Sequence, residues 1–325
     1  MKLAMVYNPQ DSKLRPGAYC SVFRGMFDAL IARFEDVQHI TEDCSSIDID
    51  ADVMFFFDPH SSHHIQIDGV LWHKALKFEY WNDPHQREVR GVYQSTGIEV
   101  HKLGHKQRVD RARLRGIDYI VSPVKYAFYD YFSQIMTKDE IDRMLLHFPT
   151  APSFTPGIGK LITRNRGILA NGATWGDTEN NGYAFRRTVY AHPEVTRINH
   201  CIQDKHTPCG TDYGDFLKQY AGALALCEAF PVVKYFEIPL AGCVTFAEYH
   251  KEYEELGFRD LRHCIYIDRR NYERCIKDFF ESGDIGLYQE IADAGRKLIE
   301  NNYTAKHFAN FIYQKCYEHM EVRVA

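Results

Sequence analysis

The stretch "VVKYFEIPLAGCVTF", Val232 to Phe246, places a lysine and a glutamate in a run that is otherwise almost wholly apolar. Pro231 suits a first helical turn and Gly242 suits a helix stop, so the segment predicts a short helix from about Val232 to Ala241. Pro239 is awkward inside it and tends to shorten it. The β-branched and aromatic residues after Gly242 read as a strand. Lys234 and Glu237 are three apart, so they share a face near the helix start. A helix N-terminus with a lysine attracts phosphate, and a glutamate beside it can accept from two ribose hydroxyls. From these residues alone, a mutual Lys–Glu pair on a helix edge reads equally well.

On either side of this stretch the chain alternates. In the first half, "KLAMVYN", "ADVMFFF", "HKALKFEYW", "IDYIVSP" and "MLLHFP" read as buried strands, and "YCSVFRGMFDALIARF" and "KYAFYDYFSQI" as helices. In the second half, "RGILANGAT", "VTRINHCI", "CVTFAEY" and "HCIYID" read as strands. "GYAFRRTVYAHP" reads as a helix, and "YGDFLKQYAGALALCEA" as a helix or a helix running into a strand. Helices close the chain, the last with Thr304 as its N-cap. Strand and helix in alternation argue for an α/β protein with parallel sheets covered on both faces. Between the halves, "FPTAPSFTPGIGK" (148–160) carries three prolines and two glycines and is the linker candidate. Its "GIGK" is not a P-loop, because the first glycine of that motif would fall at Phe154 and Leu161 follows the lysine. Two α/β units joined by such a hinge imply a cleft, with ligands at the carboxyl ends of strands.

The bulk composition bounds the function classes. The 325 residues suit two domains, and 45% hydrophobic with 26% charged is the profile of a soluble globular protein. No apolar run reaches the roughly 20 residues needed to span a bilayer, and the N-terminus lacks a secretion signal. The net charge of −5 gives no global basic field for nucleic acid. A local basic strip, "HKLGHKQRVDRARLRG" (101–116), reads as a solvated helix face. Nine cysteines, an odd count with no C-x-x-C pair, fit a reduced, cytoplasmic chain.

A β/α, hinge, β/α chain carrying K-x-x-E-x-x-x-A-G before a strand resembles the GT-B glycosyltransferases. More narrowly, residues 165 to 310 resemble the CgeB-like, spore-maturation branch. "ILANGAT" stands for its first strand and turn, and "YAFR" (Tyr183 to Arg186) for its Y-P-x-R, with Ala184 in place of the proline. "DYGDFLKQYAGALAL" supplies an aromatic at Tyr213, "KYFEIPLAG" is nearly intact, and "IADAGRKLIENNYT" closes the match. "YWNDPHQ" (Tyr80 to Gln86) looks like the branch's D-D-P segment, with Asn82 for the first Asp. The resemblance implies two Rossmann-like domains. An acceptor-side domain would span 1–152 and a nucleotide-sugar domain 153–304, with a C-terminal helix, 305–325, packing back on the first. It implies a transferase that moves a sugar from a nucleotide-diphosphate sugar to an acceptor hydroxyl, with Glu237 on the donor ribose and no cofactor beyond the donor.

Such chemistry needs the diphosphate held and its leaving charge neutralised. Lys234 and Arg186 are the candidates, with Arg164 and Arg166 after the hinge as further cations. Asn171 and Gly172 form a turn after a strand where backbone N–H groups can approach a phosphate or sugar, or an ordinary turn. Tyr213 reads as flanking the nucleotide or as core, and Thr245 as a donor-side residue or a plain strand residue. An inverting transferase also needs a general base. Asp58, His60, His63 and His64 follow one predicted strand, and Asp83 and His85 another; Asp83, His85 and His60 are the catalytic candidates. Three histidines within five residues can ligate a metal, but an extended loop does not fix their geometry and no acidic D-x-D follows a strand, so no metal is expected. Two rivals stand beside this reading: a transferase acting on modified bases in viral DNA, not favoured by the net acidity, and a non-catalytic nucleotide- or partner-binding α/β protein.

Overall fold

The computed structural model describes residues 1–9, 11, 14, 21–57, 65–82, 89–92, 99–172, 174, 183–198, 208–227 and 230–324, and only the backbone of 89–92, 99–102 and 322–324. The chain forms two compact units: Met1–Arg15, Met26–Pro149 and Lys306–Ala325 make the first, and Pro16–Gly25 and Thr150–Ala305 the second.

The first unit is built on six parallel strands: β1 (Lys2–Val6), β2 (Asp36–Ile40), β3 (Val53–Phe56), β4 (Leu76–Tyr80), β5 (Tyr119–Ser122) and β6 (Leu145–His147). Their spatial order is β6-β5-β4-β3-β1-β2. The central strands are buried along their length, as a sheet covered on both faces requires. The helices up to Pro149 are α1 (Ser21–Arg33), α2 (His105–Arg115), α3 (Tyr126–Phe132) and α4 (Lys138–Met144). One face of the sheet packs Met54, Phe56 and Ile120 against Val109 of α2 and Phe128 and Phe132 of α3. On the other, Phe55 and Tyr80 meet Phe308 of the last helix, Ala305–Val324, with ring centroids 6.3 and 6.2 Å apart. An antiparallel ribbon pairs Val89–Val92 with Glu99–Lys102.

The basic strip is not the solvated face its sequence suggests. It forms the helix α2 (His105–Arg115), and Arg108 and Arg115 are buried. Arg111 and Arg115 ion-pair with Glu79, which is fully buried on β4. Burial raises the Glu79 pKa, but the guanidiniums of Arg111, Arg115 and Arg108 outweigh it and hold the carboxyl below its ordinary value. On the outer side of α2, Arg113 pairs with Glu140 and Lys106 with Asp110.

The second unit carries five parallel strands: β7 (Asn165–Asn171), β8 (Val195–Ile198), β9 (Tyr220–Ala225), β10 (Val244–Glu248) and β11 (Ile265–Ile267). The spatial order is β8-β7-β9-β10-β11. Successive β7 residues serve opposite cores. Ile168 and Ala170 face Phe185 and Val189 of helix α5 (Tyr183–Tyr190), with Phe279 of the helix Tyr272–Glu281. Leu169 joins Tyr213 and Leu217 of helix α6 (Gly210–Leu217) and Ile238 of helix α7 (Lys234–Leu240). The expected Val232–Ala241 helix is thus seven residues long, with Pro239 inside it. So short a helix is unstable alone. Here it is held by its buried Tyr235, Phe236, Ile238 and Leu240 side chains, each worth about 1.5–3 kcal/mol. Gly242 ends it in the left-handed region, φ +67°, where a Cβ would meet the Gly157 carbonyl oxygen at 2.3 Å. No described helix is long and apolar enough to cross a membrane.

Candidate functional site

In the order β8-β7-β9-β10-β11 the chain leaves β7 in one direction to reach β8 and in the other to reach β9. The carboxyl ends of β7 and β9 therefore flank a topological switch point, where flanking loops diverge and leave room for a ligand. The residues that gather there come from β7, α5, α6 and α7.

Gly172, just past the end of β7, has φ +141°, a conformation that favours glycine. A Cβ there would lie 3.2 Å from the Tyr190 hydroxyl, 3.5 Å from Lys234 Cε and 3.7 Å from an Arg186 guanidinium nitrogen. Two cations from different helices thus converge on one stretch of bare backbone. The turn is fixed from below: the Tyr190 hydroxyl donates to the Asn171 carbonyl at 2.8 Å. Burial raises that phenol to about 12, so it remains a donor. The Asn171 side chain is buried, and its Oδ1 has no hydrogen-bond partner among the described residues. A buried acceptor left open is costly unless something completes it.

Lys234 and Glu237 stand one turn apart on α7, with Nζ and Oε1 separated by 3.4 Å and the side chains 15% and 9% exposed. Lys234 Nζ is also 3.4 Å from the Tyr213 hydroxyl and 4.9 Å from the centre of its ring. Both polar contacts are longer than the usual 2.7–3.2 Å, so the ammonium is positioned without being tightly committed. Burial raises the Glu237 pKa, and Lys234 partly offsets it. Burial also raises Tyr213 well above an ordinary phenol.

Arg186 is 8% exposed on α5 and donates to the carbonyl of Leu226, just past β9. Glu248, the last residue of β10, completes this end of the sheet. Burial lifts its carboxyl to about 7, against the pull of the Cys227 backbone N–H and of Arg186 and Arg269. Sequence reasoning missed Glu248, because a glutamate closing a strand looks like a residue turning to water.

Three expected donor residues lie elsewhere. Arg164 sits at the amino end of β7, roughly 25 Å along the strand from Gly172. Its guanidinium donates to Ala241 at 3.0 Å and Tyr220 at 3.3 Å, satisfying the carbonyl end of α7. Arg166 serves the helix Tyr272–Glu281 in the same way, donating to Phe279 at 3.0 Å. Thr245 is fully buried within β10, three residues before its carboxyl end. Asn171, Gly172, Arg186, Tyr213, Lys234 and Glu237 come together. Asp58, His60, His63, His64, Asp83 and His85 lie outside the described residues.

No family model and no curated protein matches the chain. Solved structures do. Anabaena HepE in complex with UDP and glucose superposes with a TM-score of 0.53 at 10% identity, covering 98% of this chain and 100% of that one. The DNA-modifying enzyme β-glucosyltransferase, solved in the presence and absence of uridine diphosphoglucose, gives 0.52 at 10% identity, with 97% and 99% covered. Against the GtfA/B complex the score is 0.49 at 12% identity, covering 84% of this chain, and the chain spans only 58% of that protein's length. The two full-length likenesses show the GT-B fold.

Proposed function

We propose that this chain is a glycosyltransferase whose nucleotide-diphosphate sugar donor binds at the carboxyl edge of the second sheet. The observation that carries the reading is the convergence of Lys234 and Arg186 on the bare backbone of Gly172, with Glu237 beside Lys234. In the transfer step an acceptor hydroxyl oxygen bonds to the anomeric carbon as the bond from that carbon to the β-phosphate oxygen breaks. The nucleoside diphosphate leaves with the bonding electron pair, and the acceptor proton passes to a base or to water. Lys234 and Arg186 neutralise the charge that grows on the leaving diphosphate. Glu237 accepts from the ribose hydroxyls, and the Gly172 turn admits the phosphates to its backbone. The resemblance of residues 165 to 310 to the CgeB-like branch supports assigning the chain to that branch of these enzymes. Asp83, His85 or His60 supplies the base if the reaction inverts.

The acceptor in this reading is a glycan, protein or small-molecule hydroxyl rather than DNA. The arginines of the basic strip that would meet a phosphate backbone are turned onto Glu79 or paired with Glu140. Calorimetric titration with UDP-, GDP-, ADP- and dTDP-glucose tests the donor site, and acceptor-free hydrolysis of the binder tests catalysis. Binding with slow hydrolysis is expected; no binding by any nucleotide sugar would contradict the reading.

A further inference from the structure

We propose that Phe154 is a positioning residue of the donor site: its ring, seated on Gly214, sets where α6 holds Tyr213 and so where Tyr213 holds the Lys234 ammonium. This rests on the donor reading above, in which Lys234 meets the diphosphate.

The segment rich in proline and glycine that follows the first unit is pinned within the second. At its start the Ala151 backbone N–H donates to the Tyr303 carbonyl at 2.7 Å, and at its end the Leu161 N–H donates to the Gln289 side chain at 2.7 Å. Between these anchors Pro152 and Pro156 restrict the backbone, and the Phe154 N–H donates to the Pro152 carbonyl at 3.2 Å. The Gly157 N–H donates to the Leu240 carbonyl at 2.9 Å, at the carboxyl end of α7. A Cβ at 157 would lie 1.8 Å from the Ala241 carbonyl oxygen, so only glycine fits there. The segment thus supplies α7 with one of the N–H partners that the last carbonyls of a helix lack.

Three residues before Gly157, Phe154 meets α6. It is partly buried against the core cluster that holds Tyr213 and Ile238. A Cβ at Gly214 would lie 2.5 Å from Phe154 Cγ and 2.7 Å from Cδ1 and Cδ2, so ring and helix backbone touch with no side chain between them. Glycine is unfavourable inside a helix, and this close approach is what its place in α6 admits. Lys218, which follows α6, lies over the same ring, 5.8 Å from its centre. Tyr213 directly precedes Gly214, and its hydroxyl lies 3.4 Å from Lys234 Nζ. One segment therefore touches both helices that grip the ammonium: α7 at its end through Gly157, and α6 beside Tyr213 through Phe154. These helices have eight and seven residues, too few to hold their place without such packing. Phe154 itself is not among the residues that gather around Gly172, so it acts on the donor through Tyr213 and Lys234.

The test is a double-mutant cycle read by calorimetric titration of the tightest-binding nucleotide sugar of that panel, with the thermal transition of each variant recorded. Phe154→Ala removes the ring. Gly214→Ala keeps it but must push it back by about 1 Å to reach an ordinary contact. Each should raise the donor dissociation constant roughly tenfold in folded protein, the scale of coupling between residues that share partners. Lys234→Met keeps the side-chain stem and drops the charge. In that background the same two changes should cost at most about twofold, because the group they position is gone. If Phe154→Ala does not fold, Gly214→Ala, which adds a good helix former to α6, decides by the same criteria. A lowered melting temperature with an unchanged dissociation constant overturns this proposal and leaves the donor site standing. So do losses that add in full to that of Lys234→Met. Failure of wild type to bind any nucleotide sugar overturns the donor site, and this proposal with it.

Discussion

The hydroxyl of Tyr253 donates to the carbonyl of Tyr235 at 2.8 Å, filling the acceptor that Pro239, four residues on, cannot reach because it has no N–H. Both tyrosine side chains are fully buried. A proline inside α7 is thus tolerated because a distant hydroxyl replaces the lost helical hydrogen bond. Tyr253→Phe keeps the ring packing and removes only that donor. It should cost about 1–3 kcal/mol, the penalty for an unsatisfied buried carbonyl. Urea unfolding measures it; a change within a few tenths of a kcal/mol would show that the bond carries nothing.

Arg164 separates stability from binding. Its guanidinium holds the carbonyl end of α7, at the far end of β7 from Gly172. Arg164→Ala should lower the melting temperature and leave donor affinity in the folded protein unchanged. A tenfold loss of affinity at unchanged stability would return Arg164 to the donor site.

Glu79 makes acid stability a readable quantity. Its folded-state pKa lies below its unfolded value, so its contribution is complete above about pH 4.3 and is lost as pH falls through the folded-state pKa. Glu79→Gln leaves buried arginines without their carboxylate and should destabilise by about 3–5 kcal/mol at pH 7. The difference from wild type should shrink toward pH 3. A pH-independent difference would mean that shape, not charge, is what Glu79 supplies.

For the transfer step, Asp83→Asn, His85→Asn and His60→Asn should each be compared with wild type in kcat and donor Kd. The base should stand out by a large loss of kcat with donor Kd nearly unchanged. Full turnover in all three variants would mean that none of them is the base.

Much of this was legible in the sequence, and the exceptions share a cause. β3 and β4 are continuous apolar runs because both faces are covered, and the i, i+3 spacing of Lys234 and Glu237 survives in the fold. The edge strand β2, "DVQHI", was not legible, because it pairs with β1 alone and remains partly exposed. The reading of the strip 101–116 failed because helical spacing cannot show that Glu79, more than twenty residues upstream, draws its arginines inward. Arg164 looked like a hinge cation because its partner, the Ala241 carbonyl, is 77 residues away. Glu248 was missed for the same reason: Arg186 and Cys227 define its surroundings, and only the sheet order brings them to it. Local pattern carries the elements, whereas the partners of a charged side chain depend on topology.

Glu237 tests the central claim most directly, by titration of the tightest-binding nucleotide sugar into Glu237→Ala with the folded fraction checked by its thermal transition. Hydrogen bonds to a charged acceptor are worth about 1.5–3 kcal/mol. The account predicts a dissociation constant raised roughly ten- to a hundredfold in a protein that still folds. A lowered melting temperature with an unchanged dissociation constant would contradict it, and would make Lys234 and Glu237 a structural pair.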